Sequence, residues 1–168
     1  MISSNDPEPS QDLSLPELIK YITSADPKKQ YAGLLGLSKL LSSPNLLLID
    51  NIINSGAILP LIQQIQTHSD VKIQIKAAEC LANLCSGSRE QIQALVENGI
   101  IPAFIFALKS QNEGLEEHSL RGVAYIAQDL IKFRDLILQC DTVQLIAKVL
   151  HETTNQNVKM DGVAALSS

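Results

Sequence analysis

Apolar residues recur along the chain at helical spacing, in short blocks that turn-forming residues separate. In LPELIKYI, for example, Leu15, Leu18 and Ile22 share one face. Ser14 is a suitable N-cap for this helix, and Glu17 follows three residues later, as in a capping box. No stretch shows the strict alternation of a half-buried strand. The pattern therefore predicts an all-α protein.

The following blocks predict a series of helices with recognisable ends. Asp26 is placed to cap a helix that runs to Leu41, and Gly56 to end a later one. Two glycines lie inside the helix that ends at Leu41, where they lower its helix propensity. Since glycine has no side chain, we expect them to allow close approach of another helix. They are Gly33 and Gly36. Polar loops are expected at 110–114 and at HETTNQN, residues 151–157.

Internal repetition is the strongest signal in the sequence. SGAILPLIQQI, ENGIIPAFIFAL and QCDTVQLIAKVL align with Gly56, Gly99 and Asp141 in register, at separations of 43 and 42 residues. A period near 42, with a short helix and two longer ones per unit, indicates armadillo-type repeats. Such units stack into a right-handed α-solenoid with one concave face. We expect a disordered acidic tail at 1–12 and an armadillo domain at 13–168, with about three to four repeats and a truncated last one.

Composition narrows the functional classes. The net charge is −5 and the longest basic run is Lys28-Lys29, which argues against a nucleic-acid partner. No apolar run has the length of a membrane span, so no membrane partner is expected. The aromatic content is 4% with no Trp, which implies an aliphatic core. Three cysteines stand at positions 80, 85 and 140 without zinc spacing; the first two are expected to be buried apolar residues.

The sequence offers no catalytic constellation. His68 and His151 fall in polar loops, and His118 falls at a helix start that we expect to be exposed, beside two glutamates. None of them has a nucleophile or a second ligand at a useful spacing. No glycine-rich phosphate loop follows a strand. We therefore expect neither an enzyme, nor a cofactor, nor a metal site.

Several strings resemble the N-terminal armadillo repeats of the importin-α family. They are SLPELIKYI, LIDNIINSGAILP, REQIQALVENGIIPAF and FRDLIL, and the resemblance covers roughly residues 14–168. It implies an adaptor that binds nuclear-localisation-signal peptides and is found in the cytoplasm and nucleus. In that family, the third helix of each repeat lines the concave groove. Trp and Asn one helical turn apart there hold the basic side chains and the backbone of the cargo.

The resemblance assigns the groove positions residue by residue. The Trp positions are occupied by Glu79 and Arg121, and the Asn positions by Asn83 and Tyr125. In the last fragment these positions fall at Ala164 and Ser168, so every sampled Trp is replaced and one Asn is kept. The implied peptide-binding residues are Glu79, Asn83, Ser86, Gly87, Arg121, Tyr125 and Asp129.

Helical spacing supports a shared face independently. Glu79, Asn83 and Ser86 lie at i, i+4 and i+7. An ordinary solvated helix face would show the same pattern. Arg121 would repel a basic ligand unless Asp129, two turns on, neutralises it. Since the tail at 1–12 is acidic where the family has an Arg/Lys-rich segment that binds importin-β, we do not expect importin-β as a partner.

Two functions therefore remain open. The first is an importin-α-like import adaptor whose peptide groove has degenerated. The second is an armadillo scaffold that binds another protein and no longer acts in nuclear import.

Overall fold

The computed structural model describes residues 13–43, 45–129 and 142–167, with the side chain of Asp129 also left out. The expected acidic tail at 1–12, the FRDLIL string at 133–138, Cys140, Asp141 and Ser168 lie outside the described residues.

Every regular element in the described part of the chain is a helix, as the sequence predicts. The helices are connected by short turns and fall into units of up to three. They are α1 (Leu15–Ile22), α2 (Pro27–Leu41), α3 (Leu46–Asn54), α4 (Ile58–Thr67), α5 (Val71–Leu84), α6 (Arg89–Glu97), α7 (Ile100–Leu108), α8 (Glu113–Asp129), α9 (Thr142–Glu152) and α10 (Gln156–Ser167).

Side-chain caps and glycines set the helix ends, and they recur with the repeat. Asp26 at the start of α2 and Asp70 at the start of α5 each accept a hydrogen bond from the backbone N–H two residues on, at 2.9 Å. Gly56 and Gly99 turn the chain between the first and second helices of their units at φ +78° and +90°. Those angles favour glycine, which explains their matching positions.

Two of the expected loops are shorter than the sequence predicts. Helix α8 begins at Glu113, inside the loop expected at 110–114. The side-chain oxygen of Asn112 accepts from the backbone N–H of Leu115 at 3.2 Å and starts the helix early. Likewise, α9 runs to Glu152 and α10 begins at Gln156, so the loop expected at 151–157 is three residues long.

The helices stack by type. The third helices form a row α2–α5–α8–α10, the second helices a row α4–α7–α9, and α3 packs against α6. The interior is a continuous, mainly aliphatic core, and Phe104 is the largest fully buried side chain among the described residues. Cys80 and Cys85 are buried in it, as predicted, and burial raises the pKa of both thiols. Each unit thus buries its apolar faces against its neighbours, as a solenoid requires.

Candidate functional site

The predicted site residues lie along one side of two stacked third helices. We call the surface formed by Lys76, Glu79 and Asn83 of α5 with His118, Arg121 and Tyr125 of α8 the third-helix face. Its members are partly exposed, whereas the neighbouring positions Ala78, Ala82 and Leu120 are buried. Glu79 and Asn83, which helical spacing predicts to share a face, both lie on this side of α5, whereas Ser86 lies beyond the end of that helix at Leu84.

Glu79 is held by two donors from different helices. Lys76 Nζ lies 2.5 Å from one carboxylate oxygen, and the hydroxyl of Ser38 on α2 donates to the other at 2.7 Å. Partial burial disfavours the charged form, yet the hydrogen bonds from Lys76 and Ser38 outweigh it and lower the pKa of Glu79. The carboxylate is therefore charged and already paired within the protein.

Asn83 is also engaged by a side chain from the next unit. Arg121 donates from Nη2 to Asn83 Oδ1 at 3.1 Å, and the same Nη2 lies 3.2 Å from Nδ1 of His118. Arginine has no acceptor, so His118 Nδ1 accepts and carries no proton in this arrangement. The amide that the resemblance assigns to peptide binding thus has its oxygen bonded to Arg121.

His118 is not the exposed residue that the sequence suggested. Its side chain is partly buried between α5 and its own helix. Burial and the Arg121 charge lower its pKa below the ordinary 6.5, although Glu79 and Glu117 act in the opposite direction. The exposed position was expected because glutamates precede it, but packing of α8 against α5 covers that side of the helix.

Arg121 has neutral partners. No carboxylate in the described part of the chain lies within ion-pair distance of it, and its buried Nε has no hydrogen-bond acceptor there. Burial raises the pKa of Asp161 on α10, although the positive charge of Arg121 acts to lower it. The expected neutralisation of Arg121 by Asp129 remains a prediction, because that side chain lies outside the described residues.

The remaining predicted residues contribute less to the face. The hydroxyl of Ser86 is turned back and donates to the backbone oxygen of Asn83 at 2.7 Å. Gly87 lies in the turn to α6, where a Cβ would collide with the side chain of Gln91 and approach Ile49 to 3.2 Å. Packing therefore accounts for this glycine. Tyr125 is 37% exposed one turn beyond Arg121.

Sequence reasoning missed Lys76 and His118 as members of the third-helix face. Lys76 and His118 are equivalent positions 42 residues apart, each three residues before a predicted site residue. Residues three apart face each other on a helix, so the repeat frame with the i, i+3 rule would have found both. The proximity of Asp161 to Arg121 had no such signal in the sequence, because it depends on how α10 stacks on α8.

A second concavity lies between the first helices α3 and α6, in the part of the chain that carries the string LIDNII. It has a volume of about 320 Å³, and its lining includes Leu46, Asp50 and Ser88. Gln91 bridges the two helices by donating to Asp50 Oδ1 at 2.7 Å and to the backbone oxygen of Leu46 at 2.8 Å. The strings LIDNII and REQIQ thus contact each other, and their polar residues link neighbouring units.

The described residues contain no group of three side chains suited to hold a metal ion. No single helix among them is long and apolar enough to cross a membrane, and only the bent pairs α3–α4 and α6–α7 reach that length and composition jointly.

Comparison with known families matches two of the structural units. The armadillo/beta-catenin-like repeat profile matches residues 45–86 and 88–128, which are the units α3–α5 and α6–α8. The chain is an importin-α-like armadillo-repeat protein. Importin subunit alpha-6 of Arabidopsis thaliana is 24% identical over 99% of the chain, and importin subunit alpha-1b of rice (Oryza sativa subsp. japonica) is 27% identical over 92%. Importin subunit alpha-2 of Caenorhabditis elegans is 32% identical over 69%.

This importin-α-like chain spans only part of those relatives, namely 31%, 29% and 21% of their lengths in the same order. Solved structures share its armadillo fold. An engineered protein is 27% identical with a TM-score of 0.82, covering 91% of this chain and 61% of its own. A designed armadillo repeat protein in complex with the peptide (KR)4 is 24% identical with a TM-score of 0.81, covering 91% and 63%.

Proposed function

We propose that this importin-α-like protein binds an extended protein segment along its third-helix face. The observation that carries the proposal is the row of partly exposed polar side chains on α5 and α8, which continues from unit to unit above an apolar core. Such a row offers hydrogen-bonding groups at regular spacing to a ligand backbone. We propose binding rather than catalysis, with protein partners in the cytoplasm and nucleus.

The first candidate ligand is a basic nuclear-localisation peptide, as the resemblance implies. Glu79 is the carboxylate of the face that such a peptide would meet, but Lys76 and Ser38 already bond to it. Arg121 adds a positive charge where the family has a Trp. A cation–π contact with Trp is worth about 0.5–2 kcal/mol per basic residue, and this face lacks it. We therefore expect ordinary basic peptides to bind weakly.

Fluorescence anisotropy with labelled (KR)4 peptide tests this expectation. We expect weak binding to the wild-type chain and tighter binding to the double variant Glu79→Trp with Arg121→Trp. Asn83→Ala should reduce binding in both backgrounds, whereas Asn51→Ala, an exposed asparagine on α3, should not. Micromolar or tighter binding by the wild type that Asn83→Ala abolishes would show that the face still holds basic signals.

The second candidate is a scaffold that serves a partner outside nuclear import. The hydrogen bond from Arg121 to Asn83 favours the scaffold. It places a cation where a basic side chain of the peptide would bind, and it occupies the oxygen of the retained Asn83 amide. A pull-down with purified importin-β and exportin separates the two candidates. Specific capture of either transport factor supports the adaptor, and its absence together with undetectable (KR)4 binding supports the scaffold.

A further inference from the structure

The contacts of Arg121 suggest how access to Asn83 is controlled. One guanidinium nitrogen, Nη2, joins an acceptor on α5 to an acceptor on α8: Asn83 Oδ1 at 3.1 Å and His118 Nδ1 at 3.2 Å. Both acceptors are neutral.

We infer that His118, Arg121 and Asn83 form an internal latch, in which Arg121 occupies the groove amide of Asn83 and protonation of His118 releases it. The inference rests on the proposed function in one respect, namely that Asn83 is a ligand-binding residue. The contacts among the three side chains do not depend on that assignment.

The chemistry of the three groups makes the latch sensitive to protons. An imidazole that accepts at Nδ1 carries its single proton on Nε2. Protonation of Nδ1 removes the acceptor and places a second cation 3.2 Å from the guanidinium. The arrangement is then repulsive, so Arg121 must move away and the oxygen of Asn83 becomes available to a ligand N–H.

The charged groups around His118 act on its protonation in both directions. On its own helix, Glu117 favours and Arg121 disfavours the imidazolium, while Glu79 favours and Lys76 disfavours it from α5. Of the other helices that pack on α8, α7 carries no charged residue and α6 carries Arg89, Glu90 and Glu97. On α10, Asp161 is subject to the charges of Arg121 and Glu117. Burial adds to the effect of Arg121, so the pKa of His118 lies below its ordinary value of 6.5 and the latch is closed at neutral pH.

Nuclear magnetic resonance of the isotope-labelled chain tests the latch without any ligand. We expect His118 to carry its proton on Nε2 at neutral pH, and the side-chain amide of Asn83 to shift with a midpoint equal to the pKa of His118, below 6.5. In Arg121→Ala the pKa of His118 should rise and the amide of Asn83 should stop following it. His68 serves as an internal control, since its ring contacts Gln30 and the backbone of Asp70 instead.

Two results would overturn the latch: a proton on Nδ1 of His118 at neutral pH, or an Asn83 amide that ignores the titration of His118 in a chain that remains folded. His118→Gln provides a second check. It cannot become charged, so the pH-dependent shift of Asn83 should disappear while Arg121 and Asn83 stay in place.

Binding measurements distinguish failure of the latch from failure of the proposed function. With (KR)4 as the probe, Arg121→Ala should tighten binding by about threefold to tenfold, which is the range of one hydrogen bond. The gain should vanish when Asn83→Ala is added. If the amide of Asn83 follows the titration of His118 but no variant binds (KR)4, the proposed function is refuted and the latch stands. Binding that needs Asn83 but ignores Arg121 would refute the latch alone.

Discussion

Arg121 on α8 donates to Asn83 on α5 across 3.1 Å, although the two residues are 38 positions apart and the repeat is about 42 long. The repeat equivalent of Asn83 is Tyr125, one helical turn further on. Two other side-chain contacts have the same separation of 38: Gln30 with His68, and Glu117 with Asn155. At these three contacts the partners are thus offset by one turn from the repeat equivalents, whereas Ser38 and Glu79 are 41 positions apart and keep the repeat spacing.

The Arg121–Asn83 contact should appear as a coupling energy between units. We expect Arg121→Ala and Asn83→Ala to be non-additive by about 0.5–1.5 kcal/mol in the free energy of unfolding, since each variant removes the same hydrogen bond. Urea denaturation of the wild type, both single variants and the double variant measures it. Arg121→Ala combined with Asn51→Ala is the matched control and should be additive; equal coupling in both pairs would contradict the contact.

Acid should weaken the link between α2 and α5 through Glu79. Its pKa is lowered in the folded state, so its contribution is fully present above the unfolded value of 4.5 and is lost as the pH falls through the folded pKa. At neutral pH we expect Glu79→Gln to cost about 0.5–1 kcal/mol, because both partners of the ion pair are 22% exposed and remain screened by solvent.

The measurement for Glu79 is the free energy of unfolding of the wild type and of Glu79→Gln across acidic pH. The wild type should lose its advantage below pH 4.5, where the two curves converge. Glu97→Gln, at an exposed acid on α6, should follow the wild type throughout. Curves that stay parallel to low pH would show that Glu79 is not ionised differently in the folded state.

The two glycines of α2 should respond differently to alanine. At Gly33 a Cβ would lie 2.8 Å from Cβ of Tyr21 and 2.9 Å from the backbone nitrogen of Ile22, so α1 would have to move. At Gly36 it would meet only the end of the Leu18 side chain, which can rotate. The close helix approach expected from the sequence is confirmed here between α1 and α2.

We expect Gly33→Ala to destabilise the chain by about 1–3 kcal/mol through overpacking. Gly36→Ala should stay within about 1 kcal/mol of the wild type, since alanine gains a similar amount in helix propensity. Thermal and urea unfolding of the two variants compare them directly, with each serving as the other's control. A larger loss at Gly36 than at Gly33 would contradict the packing of α1 on α2.

Helix positions could be predicted from the sequence because their determinants are local. Asp26 and Asp70 cap within two residues, and Gly56 acts through its own φ. The repeat then implied stacking and the polar side of α5 and α8. The partner of Asn83, Arg121, could not be predicted, because it depends on the lateral offset between stacked helices. Nothing within one helix specifies that offset, and the alignment of repeats suggests Tyr125 rather than Arg121 as the neighbour.

Gln64 on α4 should be the polar residue whose loss costs most among those discussed. It is 6% exposed, and its Nε2 donates at 2.7 Å to the backbone oxygen of Ile22, the last residue of α1. Its own Oε1 is buried and has no partner in the described part of the chain. Removing the donor leaves a buried carbonyl unpaired, which costs about 1–3 kcal/mol.

Gln64→Leu separates that cost from the cost of a cavity, because leucine largely fills the volume of the side chain while donating nothing. We expect the free energy of unfolding to fall by about 1–3 kcal/mol in Gln64→Leu. Gln63→Ala, at the exposed neighbouring position, should change it by no more than about 0.5 kcal/mol. If Gln64→Leu is as stable as the wild type, relief of the unpaired Oε1 offsets the lost hydrogen bond, and the α1–α4 link rests on apolar packing alone.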